Sequence, residues 1–155
     1  MATLLIDYAE TVRVERSAEA AFDRIADIDR LFAAMERKAP IDVERLSGDG
    51  EARVGDKWRV SGKLRIGRRE GIVEIAELSR PTRIAFATTG GGYRTETEIV
   101  IAPGGAATCE LSARNRIFAT SLKARLAAPL IRLYRKRIER GFRRLMKRVK
   151  RMLER

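Results

Sequence analysis

The chain has 155 residues, of which 45% are hydrophobic, so it suits a single domain, residues 1–155, with one core. It contains no histidine, which excludes Ser-His-Asp and Cys-His catalysis, histidine metal sites and a histidine pH switch. Cys109 is the only cysteine, so no internal disulfide forms. No apolar run reaches the ~18 residues that span a bilayer, and the first residues lack a signal-peptide pattern. We therefore expect a cytoplasmic location.

The net charge of +12 is concentrated at the C-terminal end. From Arg114 to Arg155 there are 16 lysines and arginines against two acidic residues, whereas the preceding residues carry a net charge of −2. This asymmetry indicates an anionic partner, which would be acidic lipid, nucleic acid or an acidic protein. The alternative is a solvated face that keeps the protein soluble.

The N-terminal part predicts a strand followed by two short helices. Residues 6–15 alternate apolar and charged side chains near their end, as a half-buried strand does. Ser17 is a plausible N-cap for a helix over Ala18–Ala26. A second short helix is expected over residues 30–36, and Pro40 follows it.

The middle of the chain predicts an antiparallel meander. Eleven of the 12 glycines lie between Gly48 and Gly105, where they separate runs of alternating side chains. The expected strands cover residues 41–46, 54–64, 71–78, 83–89, 93–102 and 108–118. A turn is expected near Gly67 and Arg68.

The C-terminal residues predict a long basic amphipathic helix. Apolar side chains recur at steps of three and four, at Leu126, Leu130, Tyr134, Ile138, Phe142, Leu145, Val149 and Met152. The opposite face is cationic. Pro129 suits the first residue of the main helix, so residues 121–128 are expected to form a separate turn. Gly141 is a weak point that could face the sheet and leave room for close packing or a ligand.

This order of elements resembles the START-like, or SRPBCC, superfamily, which has the helix-grip fold and includes polyketide cyclase/dehydrases and lipid-transport domains. Four segments carry the resemblance: VRVERSAEAAFDRIADIDRLFAAM, VGDKWRV, GIVEIAELSRPTRIAF and LMKRVKRMLE. The resemblance implies an α+β fold in which a seven-stranded curved antiparallel sheet wraps a long C-terminal helix, with two short helices after strand one. It also implies a cavity between sheet and helix for lipids, quinones or aromatic polyketides. So basic a final helix is a departure from the family pattern.

Strand alternation predicts which side chains face that helix. The set is apolar with a few small polar groups, as small-molecule pockets are, although a filled core explains its aromatic and aliphatic members equally well. The candidate ligand-binding residues are Trp58, Val60, Phe86, Thr88, Tyr93, Thr95, Thr97, Leu111, Asn115, Leu130, Tyr134, Ile138 and Phe142.

The sequence gives little support for catalysis, and no catalytic residue is assigned. Glu96, Glu98 and Glu110 fall on the convex side of the expected sheet, and Cys109 is predicted to be a core residue. We find no paired carboxylates and no pattern for a metal or another cofactor. If the chain is an enzyme of the cyclase/dehydrase type, the groups able to orient a carbonyl are Tyr93, Thr95 and Asn115.

We therefore predict a protein that binds or carries a hydrophobic small molecule. The alternatives are a cyclase/dehydrase-type enzyme, or a module that docks on anionic membrane or RNA through its basic helix. That contact would use Lys136, Arg140, Arg143, Lys147 and Lys150. The sequence does not define an oligomeric state.

Overall fold

The structure, a computed structural model, describes residues 2–37, 40–64 and 67–155. Its elements in chain order are β1 (Thr3–Val14), α1 (Ala18–Ala26), α2 (Ile28–Glu36), β2 (Ile41–Arg45), β3 (Lys57–Leu64), β4 (Gly67–Ser79), β5 (Arg83–Gly90), β6 (Tyr93–Pro103), β7 (Cys109–Ala119), α3 (Leu122–Leu126), α4 (Ala128–Leu133) and α5 (Arg135–Glu154).

The strands form one antiparallel sheet in the order β1-β7-β6-β5-β4-β3-β2. Strands β2 to β7 form a meander, and β1 returns to pair with β7 at the far end. Helices α1 and α2 follow β1, and the 20-residue α5 ends the chain. The predicted α+β class, the seven-stranded antiparallel sheet, the two short helices and the long final helix are all confirmed.

The register of the sheet sets which side chains share its inner face. Thr97 lies opposite both Asn115 on β7 and Phe86 on β5, and Thr88 lies opposite Thr95. Because side chains alternate along a strand, these residues point to the same side, toward α5. The alternation that was read from the sequence therefore selects the correct inner face for β5, β6 and β7.

The main core lies between this inner face, α1 and the C-terminal half of α5. Helix α1 contributes one apolar side, which its N-cap residue Ser17 positions by accepting a hydrogen bond from the Ala20 N–H at 3.2 Å. The buried members of the cluster include Val14, Ala21, Phe22, Ile25, Ile84, Ile101, Leu111, Met146 and Leu153.

Three strands begin at residues clearly different from those predicted. Strand β1 begins at Thr3 rather than at residue 6. Strand β3 begins at Lys57 rather than at residue 54, because the preceding residues form a turn. In that turn Gly55 has φ +94° and the Asp56 carboxylate accepts the Arg53 N–H at 2.9 Å. Strand β4 begins at Gly67, so Gly67 and Arg68 belong to a strand and not to the turn expected near them; residues 65–66 lie outside the described residues.

The predicted final helix is divided into three, which corrects the expected main helix beginning at Pro129. The separate element expected at residues 121–128 is present as α3. Pro129 lies in the first turn of α4, where its missing N–H ends the hydrogen-bond ladder from α3. A second break at Tyr134, which has φ −89° and ψ 9°, separates α4 from α5.

These breaks change which residues the C-terminal segment buries. Leu126, Leu130 and Tyr134 were expected to cover the sheet, but 75%, 55% and 44% of their surfaces are exposed. Further along, Met146 and Leu153 are buried in the core. Gly141 faces solvent, since a Cβ added there would meet nothing within 4 Å, so it does not provide room against the sheet.

Candidate functional site

An open hollow of about 290 Å³ lies on the inner face, at the end of the sheet formed by β3, β4, β5 and the start of β6. Helix α5 packs closest to β1, at the opposite edge of the sheet, so it leaves this part uncovered. Four of the predicted ligand-binding residues line the hollow: Val60, Thr88, Tyr93 and Thr95. The wall thus combines apolar and aromatic side chains with hydroxyl groups, and Arg69 and Glu70 add one charge of each sign. A few polar groups on a mainly apolar wall are the composition that small-molecule sites use.

Glycines on the inner face leave space in this hollow. Gly62, Gly71 and Gly90 all line it. A Cβ on Gly71 would reach the Cγ2 of Thr88 at 3.4 Å, so any longer side chain there would extend into the hollow. At Gly90 a Cβ would lie 2.4 Å from a backbone oxygen of β4, which only glycine permits.

A chain of three polar side chains continues the inner face toward α5. Thr97 Oγ1 donates to Asn115 Oδ1 at 2.7 Å, and Asn115 Nδ2 donates to the Tyr8 hydroxyl at 3.0 Å. The Asn115 side chain is thereby held in one orientation inside the protein. Within the described part of the chain, the hydroxyl proton of Tyr8 has no acceptor, so it is available to a ligand.

Tyr8 was missed by the sequence analysis. Its ring meets Phe142 of α5 edge-on, with centroids 5.0 Å apart and an interplanar angle of 82°. Burial raises the pKa of its hydroxyl above the ordinary 10.0, and the Asn115 hydrogen bond acts in the opposite direction. The sequence did contain a signal that could have identified Tyr8. Val14 and Val12 lie two residues apart on one face of β1, and the same alternation continued toward the N-terminus places Tyr8 on the inner face.

This burial predicts that the Tyr8 hydroxyl loses its proton at a higher pH than a free tyrosine. The ultraviolet absorbance of tyrosinate, compared between the wild type and Tyr8→Phe, isolates its titration. Because the pKa is raised in the folded state, the stability that this group contributes is present below pH 10 and is lost as pH rises through the folded pKa. A difference spectrum that titrates at or below the ordinary value would show that Tyr8 is solvated.

The remaining predicted residues are placed differently. Trp58 and Leu111 are buried in the core, where Trp58 Nε1 donates to Asp29 at 2.8 Å. Phe86, Ile138 and Phe142 are half-buried against the core clusters. Leu130 and Tyr134 lie outside, exposed on α4 and at its end. The structure brings Val60, Thr88, Tyr93 and Thr95 together, with Thr97 and Asn115 next along the same face.

Besides Arg69 and Glu70 at the hollow, ionisable groups of the inner face are few among the described residues. Glu10 points inward from β1 and pairs with Arg143 of α5 at 3.1 Å, which ties the helix to the edge of the sheet. The sequence analysis had placed no carboxylate there. Glu96 pairs with Arg116 across the convex face. Cys109 is buried in the core, and burial raises the pKa of its thiol, which disfavours the nucleophilic thiolate.

A second groove of about 320 Å³ runs between α2 and the end of α5. None of the predicted ligand-binding residues lines it. Its floor is apolar and its rim carries arginines, with lining residues Leu31, Ala34, Met35, Arg37, Leu145, Arg148, Val149, Arg151, Met152 and Arg155. In the described ranges, no cluster of three or more cysteine and acidic side chains is arranged to hold a metal ion.

Together, the curved sheet, the closing helix and the open hollow define a helix-grip protein. Residues 6–153 match the family described as polyketide cyclase / dehydrase and lipid transport, and the chain belongs to that family. A comparison with curated protein sequences gives no significant match.

Solved structures show the same fold at low sequence identity. Norcoclaurine synthase from Thalictrum flavum, solved as a point mutant with a transition-state analogue, is 13% identical with a TM-score of 0.72 over 99% of this chain and 96% of its own. A START superfamily protein from Mycobacterium smegmatis is 18% identical with a TM-score of 0.65, covering 94% and 98% of the two chains. A protein from Thermus thermophilus is 13% identical with a TM-score of 0.71, covering 96% and 97%.

The family and the fold support the binding of a hydrophobic ligand in general terms. At such identities the solved structures carry the fold and no more. None of the helices formed by the described residues is both long and apolar enough to cross a bilayer.

Proposed function

We propose that the protein binds and carries a hydrophobic small molecule, a lipid, quinone or aromatic polyketide, in the hollow lined by Val60, Thr88, Tyr93 and Thr95. The observation that supports this most directly is the pairing of Thr88 with Thr95 at the floor of an open hollow whose walls include three glycines. A solid core would fill such positions with large apolar side chains.

The chemistry of the wall favours an apolar ligand with one or two polar atoms. The hydroxyls of Thr88 and Thr95 can each donate to a carbonyl or phenolic oxygen, while Val60 and the ring of Tyr93 contact its apolar body. A volume of about 290 Å³ lies near the lower end of ligand pockets, so a ring system or the head of a longer lipid fits best.

The second candidate is an enzyme of the cyclase/dehydrase type, favoured by the ordered chain of Thr97, Asn115 and Tyr8. A hydroxyl held this way can polarise a ligand carbonyl without further rearrangement. Carriage remains the first proposal, because Glu10 on the inner face and Glu70 at the hollow are both already paired with cations.

Gly71→Leu is expected to weaken ligand binding strongly, because the new side chain extends from its contact with Thr88 into the hollow. The measurement is mass spectrometry of an organic extract of the purified protein, followed by a calorimetric screen of lipids, quinones and aromatic ketones. The best ligand should bind Gly71→Leu at least about 30-fold more weakly, since the hollow can no longer admit a ring.

Ile72→Leu is the matched control, because it places the same side chain one residue along β4, on the opposite face of the sheet. It should bind as the wild type does. Equal affinity of Gly71→Leu and wild type would refute this site. Turnover of a bound ketone that is lost in Asn115→Leu would favour the enzyme.

The contact of the basic face with anionic membrane or RNA stays a proposal from the sequence. Arg143 and Lys150 are already ion-paired, with Glu10 and Glu154 respectively. Lys136, Arg140 and Lys147 are exposed, with no carboxylate within 4 Å in the described part of the chain, and they are the members best placed for it. A cytoplasmic location also remains a prediction.

A further inference from the structure

We propose that the outer face of α3 and α4 docks the protein on an anionic phospholipid bilayer. This leucine face consists of Leu122, Leu126, Leu130 and Leu133, which are spaced by four, four and three residues on α3 and α4 and are all exposed. The exposed fractions of Leu122 and Leu133 reach 69% and 76%. Four large apolar side chains on one short segment form a patch that soluble monomers rarely expose.

In the segment formed by α3 and α4 the small side chains are buried and the large apolar ones are exposed, which is the reverse of the usual arrangement. Its small residues Ala124 and Ala128 pack against the sheet in a cluster with Ile6 and Ala119, while the leucines point outward. The segment thus fits the sheet without its largest side chains. Packing inside the protein gives no reason for leucine at the four exposed positions, whereas insertion into the boundary between lipid headgroups and chains does.

The charge around the leucine face identifies the partner. No acidic residue occurs between Glu110 and Glu139. Lys123, Arg132, Lys136 and Arg137 are exposed beside the leucines, and Arg137 lies over the Tyr134 ring at 5.5 Å. A second copy of the chain would bring two cationic patches together, whereas an anionic bilayer supplies both apolar chains and the complementary charge.

The rest of the C-terminal segment cannot take this role. The apolar side of α5 is committed to the core through Met146 and Leu153. Helix α5 would have to detach before those side chains could enter lipid, whereas the leucine face is already free.

Docking here would place the ligand hollow at the bilayer surface. The turn between β5 and β6 is packed on α3, so closely that a Cβ on Gly92 would lie 2.4 Å from Ser121 Oγ. Tyr93, which lines the hollow, also packs on the cluster of Ala124 and Ala128. Transfer of a hydrophobic ligand between bilayer and hollow would follow from this arrangement; that second step rests on the proposed function, but docking does not.

The test is flotation of the protein with vesicles of phosphatidylcholine alone and of phosphatidylcholine mixed with phosphatidylglycerol. The wild type should bind the mixed vesicles and not the neutral ones. Leu126→Ser/Leu133→Ser should weaken that binding about tenfold or more, because two inserted side chains are lost. Both positions are exposed, so folding should be unaffected, which circular dichroism verifies. Val54→Ser, at an exposed apolar residue in the turn before β3, is the matched control and should bind as the wild type.

Four results would overturn the proposal. One is equal vesicle binding by the leucine variant and the wild type. Another is loss of binding only in Arg140→Gln/Lys147→Gln, which would assign the contact to α5. The third is a dimer, measured by light scattering, that the leucine substitutions dissociate. Binding of a single-stranded RNA that competes with vesicles and ignores the leucine substitutions would also refute it. Gly71→Leu should still dock, so failure of the ligand site and failure of docking are separable.

Discussion

Replacing Arg45 with alanine is expected to lower the free energy of unfolding by about 3 kcal/mol. The Arg45 side chain is largely buried on β2 and forms ion pairs with Asp29 at 2.6 Å and with Asp56 at 2.9 Å. Its guanidinium lies over the Trp58 ring at 5.1 Å. Removing it leaves the Asp56 carboxylate buried without its cation, which costs more than the pair itself contributes.

The same group joins three parts of the fold. Asp29 belongs to α2 and accepts the indole N–H of Trp58 through its other oxygen, while Asp56 closes the turn before β3. Arg45 therefore fixes α2 and this turn to the far edge of the sheet. Its loss should release α2 together with the Trp58 side chain, rather than disturb one contact alone.

The matched control is Arg59→Ala on the neighbouring strand. Arg59 also bridges two carboxylates, Glu44 at 2.9 Å and Glu70 at 3.0 Å, but both of these are mostly exposed. Exposed pairs contribute about 0–1 kcal/mol, so this variant should unfold almost as the wild type does. Urea unfolding monitored by the fluorescence of Trp58, the only tryptophan, measures both. Equal losses would mean that Asp56 is solvated without Arg45.

The strands could be predicted from sequence because their signal is local and simple. In β6 and β7 the side chains alternate between the two faces of the sheet over ten residues. Thr97 and Asn115 therefore fall on the inner face in any pairing that buries Ile99 and Leu111. The ends of the strands were predicted less accurately than their faces. The turn at Gly55 and Asp56 is held by side-chain hydrogen bonds, which alternation does not record.

The covering face of the C-terminal segment could not be predicted in the same way. Steps of three and four continue through Leu126, Leu130 and Tyr134, but they describe one straight helix. The breaks at Ala127 and Tyr134 interrupt that helix, and the stripe is exposed at Leu126, Leu130 and Tyr134. Only further along, at Met146 and Leu153, are apolar side chains of the segment buried in the main core. The side chains of α3 and α4 that meet the sheet are the small Ala124 and Ala128, which a search for large apolar residues does not select.

The polar contacts of the candidate site join residues that are far apart in the sequence, so they could not be predicted from local patterns. Asn115 was selected from its own strand, but its partner Tyr8 is 107 residues away. Only the return of β1 to β7 brings these two residues together. The spacing of residues in the sequence does not show that β1 pairs with β7. The alternation of side chains along β1 does show that Tyr8 faces inward.

Leu153→Ala is expected to lower the free energy of unfolding by about 3 kcal/mol, which would confirm the face that α5 buries. Leu153 is fully buried in the main core with Val14 and Phe22. The backbone around it is held in place, because Glu154 accepts the Glu15 N–H at 2.8 Å, which limits collapse into the cavity left by the substitution.

Leu133→Ala makes the same chemical change on α4 at a side chain that is 76% exposed. Its effect should stay within about 0.5 kcal/mol, since little apolar surface is returned to water. Thermal or urea unfolding of both variants gives the comparison. A comparable loss at Leu133 would mean that α4 is covered in solution, and the leucine face would then not be free to meet a membrane. A small effect at both positions would place Leu153 outside the core, so the pair of substitutions tests the burial on which the docking proposal depends.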